Sequence, residues 1–249
     1  MHERRKDIGE SRGRVLALAV LLVAMAGCGG DATDEPRAAT PTRAPSTRPA
    51  TTVSPFPSSD EPVPIDPGTY LVPRSSWSDV DYTVTFPEGW TVQHGASYLK
   101  HPDRADGLGF EAFVPDTFYT DACEGSQGET MVVGHTVDEL ATALLEQRGP
   151  EASDPVETTL GGYPAVRIDL TVPKGFDLKA CNLEGAGFQI WFSHPADGYL
   201  VLFADAVASV YIVDVDGERQ VFQTQYGSEA SDEDRQELEA IIDSIHIET

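Results

Sequence analysis

The residues that could do chemistry are spread thinly along the chain. Its six histidines, His2, His94, His101, His135, His194 and His246, include no pair at metal-ligand spacing. There is no G-x-S-x-G nucleophile elbow and no glycine loop of the phosphate-cradling kind. Asp214, Asp216 and Gly217 match three positions of a calcium loop, but Ile212 and Gln223 stand where its first and last acids belong. A type I′ hairpin turn accounts for Asp216 and Gly217 without metal. Carboxylates are so abundant that no chosen pair marks a glycosidase. The expectation is therefore no catalytic residue, no metal and no cofactor, with an enzyme arising only if scattered residues converge in the fold.

One stretch suits recognition better. Asp116, Phe118, Tyr119 and Asp121 lie close to Cys123, in a run from Pro115 to Thr136 that lacks any hydrophobic period. Aromatic side chains on a loop fixed by a disulfide are good binding anchors, so these four are the expected binding residues. The chain has three cysteines. If Cys28 is consumed by the processing described below, Cys123 and Cys181 remain as an even pair in an exported protein and are expected to be bonded. Closing a loop of that size is worth about 4 kcal/mol on the chain-entropy estimate.

The elements that position these residues begin with an address. Arg4, Arg5, Lys6, Arg12 and Arg14 precede an apolar run from Val15 that ends in Met25, Ala26, Gly27 and Cys28. Roughly 12 apolar residues cannot span a hydrocarbon core of about 30 Å, so the run reads as an export signal rather than a permanent helix. Its end resembles the lipobox of bacterial lipoproteins, with Met25 in place of the usual leucine. That resemblance implies a diacylglycerol on Cys28, removal of residues 1–27 and acylation of the new amino terminus.

Residues 28–67, rich in Pro, Thr, Ser and Ala, cannot bury enough to fold and read as a disordered tether. Its 39 residues after Cys28 would span roughly 35 Å as a coil and up to about 120 Å as polyproline II. The whole chain carries 17 Lys and Arg against 41 Asp and Glu, a formal charge of −24. Processing would remove five basic and three acidic residues and leave −26. A field of that sign repels nucleic acid, which is excluded as a partner, and attracts cations and basic peptides.

Residues 68–249 form one domain-sized block. Tyr82, Val84 and Phe86 alternate with polar residues, and Trp90 with Val92 is expected to return as the second strand of a meander that continues through Leu108–Val114. Thr136 and Glu139 form a capping box for a helix with Val137, Leu140, Ala141 and Leu144 on its buried stripe, ended by Gly149 and Pro150. Val156–Leu160 and Tyr163–Val172 make a hairpin about Gly161 and Gly162. Phe188–Phe192, Tyr199–Ala204 and Val210–Val215 are further strands, the second expected to be buried on both faces, and Arg219–Gln225 follows the Asp216–Gly217 turn. Ser231 opens a last helix that turns Leu238, Ile241, Ile242 and Ile245 to the core. The fold class is α+β, a mainly antiparallel sheet with flanking helices.

Several spaced motifs together resemble an uncharacterised actinobacterial extracytoplasmic lipoprotein domain family: Val213–Arg219, Ile242–Ile245, Thr136–Leu140, Leu160–Tyr163 and the cysteine placements. The order of elements also resembles the Mog1/PsbP-type α/β/α sandwich. The first resemblance implies a domain behind a membrane anchor; neither implies an activity. The expected protein is lipid-anchored, extracytoplasmic and noncatalytic, with an envelope protein, peptide or wall component as partner. A cell-envelope hydrolase is the alternative.

Overall fold

A computed structural model of the chain describes residues 59–181, 187–194 and 198–248. The chain divides into two units, Met1–Thr47 and Arg48–Thr249, and every described residue lies in the second. The signal, Cys28 and most of the expected tether lie outside the described residues.

In chain order the strands and helices are β1 (Val63–Pro64), β2 (Gly68–Val72), β3 (Asp81–Phe86), β4 (Thr91–Gln93), β5 (Ser97–Lys100), β6 (Leu108–Phe113), β7 (Thr117–Tyr119), β8 (Thr130–Met131) and α1 (Val137–Glu146). They continue with β9 (Glu151–Ala152), β10 (Val156–Leu160), β11 (Tyr163–Thr171), β12 (Gly187–Ser193), β13 (Gly198–Phe203), β14 (Val207–Val215), β15 (Glu218–Tyr226), α2 (Asp232–Asp243) and β16 (His246–Glu248). The fold is α+β, and every strand ladder among the described residues is antiparallel.

A nine-stranded central sheet runs β1-β4-β5-β6-β15-β14-β11-β10, with β9 also paired to β11. Its middle strands are apolar on both faces, which is why Val207–Val215 reads as a nearly continuous hydrophobic run. Tyr211, Val213 and Phe222 enter one core, covered by the three-stranded sheet β16-β3-β2 and by α2. Val210, Ile212 and Val221 enter a second core, covered by the four-stranded sheet β13-β12-β7-β8 and by α1. Rings fill the first core: Phe86 stacks on Tyr98 at 4.5 Å, and Tyr82 meets Phe222 edge-on at 5.1 Å.

Both helices start at the capping boxes their sequences allow. Thr136 Oγ1 accepts from the Glu139 amide at 3.2 Å while Glu139 Oε2 accepts from the Thr136 amide at 3.0 Å. Ser231 and Asp234 repeat the exchange for α2 at 3.1 and 2.9 Å. The carboxylate of Glu237 on α2 accepts from the Trp90 indole at 2.7 Å and pairs with Lys100 at 2.9 Å, fixing the helix over the first core. The Gly161–Gly162 and Asp216–Gly217 turns both have positive φ at their two central residues, as two-residue hairpins of the I′ kind require.

Five expectations are corrected. Residues 63–66 are not tether: β1 pairs with β4 and the Ile65 amide donates to Trp90 O at 3.1 Å. β3 and β4 do not form a meander, because β3 pairs with β2 and β16 while β4 pairs with β1 and β5; Pro87–Gly89 carries the chain from one sheet to another. There are three sheets among the described residues rather than one. α1 stops at Glu146, before Gly149, because Gln147 turns extended and its Nε2 donates at 2.7 Å to both Tyr119 O and Ile190 O. Ile190 falls in the irregular register of β12 between Gln189 and Trp191, and the Gln147 amide gives its carbonyl a partner there. Finally, β13 is buried on one face only: side chains alternate across the strand, and the outer face leaves Tyr199 54% and Phe203 50% exposed.

Candidate functional site: a cavity over a partly buried glutamate

The clearest site is built on the outer strands of the central sheet. Tyr98, Phe110 and Phe222 point into the first core, so their neighbours Ser97, Glu111 and Gln223 point to the opposite face. The pairings Tyr98 with Phe110 and Glu111 with Gln223 set the three polar side chains in one row across β5, β6 and β15. Glu111 accepts from the Ser97 hydroxyl and, at 2.6 Å, from Gln223 Nε2.

A cavity of about 770 Å³ opens over the Ser97 and Glu111 end of this row, within the range of small-molecule sites. Its walls come from four places. Trp77 lies on the loop after β2 and packs on Phe113 at 5.4 Å. Gln220 holds that loop: its Oε1 accepts from the Asp79 amide at 2.9 Å and from the Ser78 hydroxyl at 3.1 Å, while its Nε2 donates to Phe113 O at 3.1 Å. Gly198 and Tyr199 bring in the start of β13, where a Cβ on Gly198 would lie 2.7 Å from the Trp77 ring. His94 and Gly95, both left-handed, turn β4 into β5, and the His94 amide donates to Ser59 O at 2.8 Å. Asp60 completes the rim, 3.5 Å from His94 Nδ1.

Burial pushes the Glu111 carboxyl up to about 7, against the pull of its hydrogen bonds from Ser97 and Gln223. Burial also raises the Tyr82 phenol in the same lining, so that side chain stays neutral. Among the described residues the lining holds no Lys or Arg. Gln223 Oε1, on a residue only 2% exposed, has no hydrogen-bond partner among them either. A second cavity of about 550 Å³ lies farther along the same face, over Leu99, Gly109 and Phe203.

The four expected binding residues do not make a site. Phe118 is fully buried in the second core, 5.7 Å from Trp191, and Tyr119 is 5% exposed. Both belong to β7, which pairs with β8 and β12 in what reads as an irregular loop. Asp121 is structural: its Oδ1 accepts from the Cys123 amide at 2.9 Å and its other oxygen lies 3.4 Å from Arg148. Cys123 and Cys181 are joined by a disulfide, Cα to Cα 4.6 Å. Asp116 lies 2.9 Å from His194 Nδ1, the shortest carboxylate–imidazole distance among the described residues. Thr117 Oγ1 contacts the same nitrogen at 3.3 Å, so carboxylate and hydroxyl do not flank the imidazole on opposite nitrogens as a relay needs.

No group of three or more His, Cys, Asp or Glu that could hold a metal occurs among the described residues. No helix among them is long and apolar enough to cross a membrane. The processing site at Cys28 lies outside them.

The chain matches no family model, and no curated protein matches it. Among solved structures it is similar to the crystal structure of LpqN involved in cell envelope biogenesis of Mycobacterium tuberculosis, at 12% identity over 76% of this chain and 91% of that one, with a TM-score of 0.33.

Proposed function

We propose that the protein is an extracytoplasmic binding protein, held at the membrane through lipidated Cys28, and that it takes its ligand in the cavity over Glu111. The observation that carries the binding half is the cavity: about 770 Å³, walled by Trp77, Phe113 and Tyr199, with Ser97 and Glu111 at its floor and Gln223 hydrogen-bonded behind them. The anchoring half is carried by the cationic start, the short apolar run and the Ala26-Gly27-Cys28 junction. A small molecule, a peptide or a wall component suits a site of this size.

The test is a photo-crosslinking residue placed at Tyr199 on the cavity rim, or at Val156 on a distant exposed strand, in living cells. Adducts at position 199 that are absent at 156 are expected. Equal capture at both positions would remove the cavity from the account. Cys28→Ala should leave the protein unprocessed or free of the membrane fraction; a wild type that is cleaved but carries no lipid would contradict the anchor.

One observation favours a hydrolase as the second reading. Ser97 donates to a carboxylate poised near neutrality, a pairing of nucleophile and base. Labelling of Ser97 by a fluorophosphonate, lost in Glu111→Gln, would support that reading over binding alone.

A further inference from the structure

A desolvated carboxyl either has its charge answered by a neighbouring cation or by metal, or gives the charge up by holding a proton. Glu111 has neither among the described residues: its partners are the neutral Ser97 and Gln223, and the cavity above it is lined without Lys or Arg. The space is nonetheless open, and Trp77 and Tyr199 line it, residues of the kind that attract positive charge to their rings. The chain as a whole carries −24, which concentrates cations around it. We propose that the cavity binds an organic cation, an ammonium or guanidinium group placed against Glu111 with its stem between Trp77 and Tyr199.

This proposal rests on the cavity being the binding site and names the charge of what enters it. It makes binding a function of pH, because the cation is held by the ionised carboxylate. With the carboxyl titrating near 7, ionisation falls about tenfold from pH 8 to pH 6, and affinity falls with it. The other titratable groups facing the cavity are Asp60, His94 and the phenols of Tyr82 and Tyr199. His94→Asn is the control that takes the imidazole out of the profile.

The experiment titrates the full chain with three soluble probes whose side chains are cationic, apolar and anionic: N-acetyl-lysine amide, N-acetyl-norleucine amide and N-acetyl-glutamate amide, followed by NMR shifts at Ser97, Trp77 and Glu111. At pH 8 the lysine compound should bind at least tenfold more tightly than the other two, lose about tenfold by pH 6 in wild type and His94→Asn alike, and lose at least tenfold in Glu111→Gln. If that variant does not fold, the pH profile and a fall of the Glu111 midpoint on adding the lysine compound read the same interaction in wild type. Preference for norleucine or glutamate, affinity unchanged by pH, or no binding by any probe would overturn the cation. Crosslinking at position 199 that persists in any of those cases would leave the cavity a binding site and discard only the charge assigned to its ligand.

Discussion

Phe118 and Glu111 lie on the same side of the central sheet and have opposite fates. Phe118 is closed between that sheet and the four-stranded one, against Trp191, while Glu111 looks out into a cavity walled by the Trp77 loop, the β4–β5 turn and the start of β13. In sequence their roles look reversed. Phe118 sits among acids beside a cysteine, like an anchor on an exposed loop, and Glu111 looks like the solvent-facing member of an alternating strand. Burying a phenylalanine is worth about 2–3 kcal/mol, enough to draw Phe118 inward wherever a strand can form around it. A carboxyl gains nothing from burial, so its place under a cavity marks a position where packing was left open.

The largest way to break this comparison is Phe118→Ala, expected to cost about 3–5 kcal/mol in urea unfolding, against less than about 1 kcal/mol for Tyr199→Ala on the half-exposed edge. Equal costs would mean that the two rings have similar roles. Next is the Cys123–Cys181 staple, which ties the segment after β7 to that before β12; reduction or a double Cys→Ala change should cost about 2–4 kcal/mol. A smaller loss would show that β7 and β8 hold the segment unaided.

Glu111→Gln sharpens the other half. The folded carboxyl titrates near 7 and its ordinary value is 4.5, so the folded chain holds the proton more tightly than the unfolded one. Its contribution is fully present below about pH 4.5 and is lost as pH rises through about 7, by at most about 3 kcal/mol. The variant should therefore gain on wild type between pH 5 and pH 8. A constant difference across that interval would put the carboxyl in water. Smallest is Thr136→Ala, which removes one half of the α1 capping box and should cost about 1 kcal/mol.

Much of this was legible in the sequence because it is local. The capping boxes at Thr136 and Ser231, the Gly161–Gly162 and Asp216–Gly217 turns and the strand periods all follow from neighbouring residues. What was hidden is pairing at a distance. Nothing near Trp90 says that β4 pairs with β1 and β5, and nothing near Tyr199 says that its strand ends a sheet. The site falls in the same class: Ser97, Glu111 and Gln223 belong to three strands, and only register brings them into one row. The one available signal was Gln223, a polar residue within Val221-Phe222-Gln223-Thr224, where a central strand has no solvent face to give it.

The Glu111 carboxyl lies partly buried at the floor of an open cavity, desolvated enough there to hold its proton near neutrality. A carbon-detected NMR titration of the Glu111 side chain, in the unliganded protein, measures that most directly. The predicted midpoint lies near 7. A midpoint near 4.5, the value of a solvated glutamate, would contradict it.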